Sequence, residues 1–141
     1  MRPRIVALLL AILMPLVAAD PVGFAIWPKG VPPGDPKQKL DFGDHALSIS
    51  HRDRDGVVEV HEKLVDVFVV QSGEASLVVG GEVVGGKTTA PGEIQGVSIR
   101  GGVRKIVGPG DVIHIPAGVP HQFFVEAGKQ ITYFVVKVGR P

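Results

Sequence analysis

Short β-branched runs, cut apart by glycine and proline, limit what this chain can fold into more than any other feature. They fall at residues 46–50, 57–61, 65–71, 75–79, 103–107, 112–115, 122–125 and 131–138. Gly80-Gly81, Gly85-Gly86, Pro109-Gly110-Asp111 and Gly128 separate them. Valine and isoleucine favour extended backbone, and glycine, proline and aspartate favour turns, so each run reads as a strand. No apolar period of 3.6 is sustained anywhere in this region. Many short strands imply an all-β single domain, a sandwich or jelly-roll barrel whose closure protects sheet edges.

Two of these strands carry groups that are costly to bury alone. The first stretch reads Gly56-Val57-Val58-Glu59-Val60-His61, with Asp66 and Gly73 following. The second runs from Gly110 through His114, Pro116, Gly118 and Pro120 to His121. Alternate side chains of a strand share a face. Glu59 and His61 therefore point together, and Val57 is expected to join them, with Val58 and Val60 opposite. Asp66 lies five positions beyond His61, on the wrong face of a continuous strand. A turn at Glu62-Lys63 resets the phase and brings Asp66, Phe68 and Val70 to the same interior. Pro116 to Pro120 forms a tight turn, after which His121, Phe123 and Val125 share a face.

These stretches resemble the two motifs of the cupin superfamily, and the resemblance extends over residues 45–138. Glu59-x-His61 stands at the family's His-x-His pair, Asp66 at its acidic position and Gly73 at its closing glycine. Gly110, Pro116, Gly118 and His121 match the second motif, while Val125 occupies the position of an asparagine. The resemblance implies a jelly-roll, cupin-type barrel with one divalent metal in its cavity. Glu59, His61, Asp66 and His121 are the candidate ligands. Two imidazoles with one or two carboxylates suit Fe, Mn, Ni, Zn or Cu. The same residues admit another reading, in which Glu59 is a surface strand residue and the two histidines hydrogen-bond within the core.

Residues 1–19 read as a cleavable signal peptide. Arg2 and Arg4 give a basic start, residues 5–14 are apolar, and Val17-Ala18-Ala19 supplies small residues for cleavage. A secreted or periplasmic location is expected, with no membrane association once the leader is removed. Loss of Arg2 and Arg4 changes the formal net charge from +1 to −1. Without a basic tract, nucleic acid is not an expected partner. The chain has no cysteine, so neither disulfides nor thiol chemistry enter.

Residues 20–44 are rich in proline and glycine and read as an irregular arm anchored by Phe24, Ile26 and Trp27. Such an arm either docks on its own barrel or covers a neighbour as part of a homodimer. Residues 85–102 read as a long irregular insertion, and long loops often serve as lids. Glu93 within it is a candidate loop carboxylate for proton transfer, alongside Glu59. His45, His51 and His114 are expected at the surface. Phe68, Phe123, Phe124 and Phe134 are candidate apolar walls. The leading expectation is a metal-binding barrel that holds a small polar organic ligand, with oxygenase, isomerase or lyase chemistry open to it. The alternatives are a non-catalytic module for a sugar, metabolite or metal, or a structural barrel with a vestigial site.

Overall fold

The computed structural model describes residues 19–35 and 37–139. Apart from Ala19, the leader reading falls outside the described residues. Among these residues, thirteen strands follow a single 3-10 turn at Pro28–Gly30. They are β1 (Leu40–Asp41), β2 (His45–Arg52), β3 (Val58–His61), β4 (Leu64–Gly73), β5 (Ala75–Val79), β6 (Glu82–Val84) and β7 (Lys87–Ala90). Then come β8 (Glu93–Gly96), β9 (Ser98–Arg100), β10 (Val103–Val107), β11 (Val112–Ile115), β12 (His121–Phe124) and β13 (Ile131–Gly139). Among the described residues, no helix is long and apolar enough to cross a membrane.

Two antiparallel sheets make the barrel. One has the order β1-β2-β13-β4-β11 and the other β10-β5-β12-β3-β8-β7, and β6 pairs with β9 in a separate ribbon. All recorded strand pairs are antiparallel. Alternation along the central strands sends one set of side chains inward. On β4 the inward row is Asp66, Phe68 and Val70. On β12 it is His121 and Phe123, continued by Val125, and on β13 it is Ile131, Tyr133 and Val135, all of them buried. Phe68, Phe123 and Tyr133 form an aromatic cluster with ring centroids 4.8–5.8 Å apart. Each ring contributes buried area, with Phe123 and Tyr133 stacked and Phe68 tilted against both. The barrel is thus filled with apolar side chains at one level and polar ones at the next.

Backbone constraints hold this register. In β4, Thr132 faces Ser72 while Tyr133 faces Val70, so Gln71 is the extra residue of a bulge. Its side-chain amide donates to the Gly30 carbonyl at 3.0 Å, tying the arm to the sheet. Gly73 ends the strand at φ +77°, where an added Cβ would sit 1.9 Å from the Gln130 carbonyl oxygen.

Several expectations need correction. The segment 85–102 is largely ordered into β7, β8 and β9 rather than an irregular loop, and β8 pairs along β3. The short strand β6 between the two glycine pairs is matched by β9 of this same segment. Val57 precedes β3 and is half exposed, whereas Val58 and Val60 are both buried. The side of β3 opposite the candidate ligands is therefore covered too, and Val58 and Val83 of the ribbon both approach Gly96 there. Phe124 and Phe134 face outward. Arg104 lies over the Phe124 ring, and Trp27 packs edge-on against Phe134 at 5.5 Å.

Candidate metal centre

Sheet register brings the polar residues to one level of the barrel. Glu59 is directly opposite His121 across β3 and β12. Lys137 is directly opposite Asp66 across β13 and β4. Glu93 on β8 faces His61. The backbone N–H of Gly118 donates to the His61 carbonyl at 2.8 Å, which joins the second motif's turn to β3. Glu59, His61 and His121 each offer a ligand atom within 4.8 Å of the others. That is close to the spread of about 3–4 Å set by ligand bonds near 2.1 Å round one ion.

Burial is severe: His61 is 7 %, Asp66 1 % and His121 2 % exposed. Hydrogen bonds fix the tautomers. The Lys137 ammonium can only donate, so His61 Nε2 accepts from it at 2.8 Å with its lone pair. The ring proton is then on Nδ1 and is donated to Glu93. His121 Nδ1 donates to the Val119 carbonyl at 3.2 Å, leaving its Nε2 lone pair facing inward. Burial holds the His121 pKa below the usual imidazole value, partly opposed by that carbonyl and by Asp66 and Glu59. Both rings therefore present Nε2 as an acceptor, the form in which imidazole ligates a metal.

Asp66 completes the geometry. Its Oδ1 accepts from Lys137 at 2.8 Å. Its Oδ2 lies 3.3 Å from His61 Nε2 and 3.5 Å from His121 Nε2. Asp66 Oδ2 and His121 Nε2 are buried without a hydrogen-bond partner. Three electron-rich atoms thus converge with no proton between the last two, an arrangement that burial makes costly. A cation between them removes the cost, so the donor set fits a divalent ion.

Of the residues singled out from sequence, Glu59, His61, Asp66, His121 and Glu93 all meet at this level. Glu93 does so from a strand rather than a loop, as the acceptor that orients His61. His51 and His114 are exposed and His45 is half-buried, with His45 paired to Asp44 and His51 to the Thr132 hydroxyl. Two functional neighbours escaped the sequence reading. Lys137 bridges His61 and Asp66. Arg52 donates through Nε to the buried Tyr133 hydroxyl at 2.8 Å and lies 3.6 Å from Glu59. Counting by twos along their strands from Ile131 and from Ala46 would have placed both inside.

The fold and the converging histidines define the chain as a cupin-type, double-stranded β-helix barrel with a site that could hold a metal. Solved structures bear out this architecture. The cupin domain of Cnp3 from Schizosaccharomyces pombe aligns with a TM-score of 0.54 at 8 % identity, covering 73 % of this chain and 63 % of that one. An uncharacterized conserved protein with a double-stranded β-helix domain from Klebsiella pneumoniae aligns at 0.52 and 18 % identity. That alignment covers 71 % of this chain and 67 % of the other. The chain thus spans about two thirds of the length of each. No protein-family model matches the sequence, and no curated protein matches it significantly.

Proposed function

We propose that the protein is an exported cupin that holds a divalent metal through Glu59, His61 and His121, with Asp66 beside them, and uses it to bind a small polar organic ligand. The observation that carries this reading is the buried, unpartnered pair Asp66 Oδ2 and His121 Nε2. The approach from solvent is bounded by the partly exposed side chains of Glu59, Glu93, Lys137 and Arg52. Both signs of charge there favour a polar, chelating ligand over an apolar one. A bound metal would supply Lewis acidity or an oxygen-activating centre at this position. Around it, Glu93 holds the His61 proton at Nδ1, Arg52 braces Glu59, and Phe68 packs against His121 with ring centroids 6.1 Å apart, on the water-excluding side. Glu59 and Glu93 are the carboxylates placed to handle a ligand proton. Export rests on the basic, apolar and small-residue sequence of positions 1–19.

The test is elemental analysis of protein purified without an affinity tag, before and after chelator treatment. His61→Ala and His121→Ala should each abolish stoichiometric metal while leaving the β-sheet circular dichroism unchanged. Full occupancy in both variants would overturn the assignment.

A further inference from the structure

We infer that Lys137 is a tethered cation that occupies the metal's place in the metal-free protein and must swing out for an ion to enter. This rests on the metal reading above. The argument begins with a lone pair. His61 Nε2 has one, and in this structure it accepts from Lys137 Nζ at 2.8 Å. The same lone pair cannot serve an ammonium and a metal at once. The competition extends to Asp66, whose Oδ1 takes a second Lys137 proton at 2.8 Å.

The position of Lys137 suits a displaceable group. Its side chain is 28 % exposed, whereas its partners His61 and Asp66 are 8 % and 1 % exposed at the side chain. The stem therefore runs from the surface to the interior. Lysine carries a compact charge on four flexible methylenes, which allows the ammonium to move to water while the stem stays packed. The neighbours determine why a cation is needed there. Asp66 is the most buried carboxylate of the site, and its Oδ1 has no other hydrogen-bond donor among the described contacts. Without metal and without Lys137 it would be a lone buried charge, an arrangement proteins avoid. Arg52 cannot substitute, because its guanidinium is committed to Tyr133 and Glu59 and is held over Gly56, where a Cβ would sit 2.8 Å from it. Lys137 satisfies only part of the site: Asp66 Oδ2 and His121 Nε2 stay unpartnered. That incomplete fit distinguishes a stand-in from a permanent ion pair.

The consequence is a metal affinity set partly by the population of the displaced lysine. If the open arrangement is a minor state, apparent affinity falls by that fraction, and removing the ammonium restores it. The experiment is calorimetric titration of Zn(II) alone into chelator-stripped, tag-free wild type, Lys137→Met and Lys137→Gln. Methionine keeps the apolar stem without the charge. Glutamine keeps a donor for Asp66 and serves where the methionine variant folds poorly. Both variants should bind Zn(II) at least about tenfold more tightly than wild type. The metal-free Lys137→Met protein should melt roughly 5 °C or more below metal-free wild type, and zinc should restore most of that loss. Zinc binding by a folded variant that is no tighter than by wild type overturns the tethered-cation inference and leaves the metal centre standing. Binding by the variants but not by wild type overturns the displaceable-lysine inference, because Lys137 would then replace the ion permanently in the natural chain. Binding by none of the three overturns the metal reading and this inference with it.

Discussion

Each imidazole of the site owes its usefulness to the group behind it. His61 presents an inward lone pair because Glu93 takes the proton on its other nitrogen. Glu93→Ala should leave the ring free to turn or change tautomer and weaken zinc binding by about 10- to 100-fold. Glu93→Gln retains an acceptor and should lose less, so the comparison of the two by calorimetric titration separates hydrogen bonding from charge. Equal affinity in Glu93→Ala and wild type would remove Glu93 from the site. A second support runs through Tyr133, whose buried hydroxyl receives Arg52 Nε–H. Tyr133→Phe removes one hydrogen bond while keeping the ring, so urea denaturation should show a loss of about 1 kcal/mol. A loss of Zn(II) affinity would follow only if Arg52, once released, ceases to hold Glu59 in place.

The strand ends carry constraints of another kind. At Gly73 a side chain meets both a positive φ and the Gln130 carbonyl, whereas Gly128, at φ +81°, has nothing within 4 Å of an added Cβ. Gly128→Ala should therefore cost only the left-handed conformation, about 1 kcal/mol. Gly73→Ala should cost that plus displacement of β13 from β4, about 3 kcal/mol or more, read as a shift in the denaturation midpoint. Similar losses for the two would show that the strand end yields freely. The same local rules explain what could be read from the sequence. Period-two alternation placed Glu59, His61 and His121 on inward faces, and the Glu62-Lys63 turn brought Asp66 to join them. The rules fail where pairing is non-local. Lys87–Ala90 and Glu93–Gly96 have no apolar alternation, since β7 is exposed throughout and β8 gains its place by pairing with β3. Val57 was misassigned because the strand begins one residue later. Lys137 is the one charged residue of the apolar strand β13, and the parity of Ile131, Tyr133 and Val135 carries it inward.

At the scale of the whole molecule, the arm is only partly covered by its own barrel. Trp27 lies against Phe134, and Gly30 is tied to Gln71, so the arm does fold back on its own barrel. That docking uses only one of its three large apolar anchors. Phe24 and Ile26 remain 55 % and 62 % exposed, next to a cleft of about 400 Å³ lined by Trp27, Leu40 and Phe42 among others. Neighbouring exposed apolar groups on a short arm are the kind of surface that a second copy can bury in a two-fold contact. We propose a homodimer joined through this face, with Trp27 holding the arm in position and Phe24 and Ile26 making the contact. Multi-angle light scattering should then give a dimer for the chain beginning near Asp20 and a monomer for one beginning at Leu40. Phe24→Ser with Ile26→Ser should dissociate the dimer while leaving zinc stoichiometry unchanged, because the arm anchors on the outer face of β4 and β13 and the candidate metal site lies inside. A monomeric mass for the longer chain at micromolar concentration ends the proposal, and a dimer that survives truncation moves the contact to the sheet face.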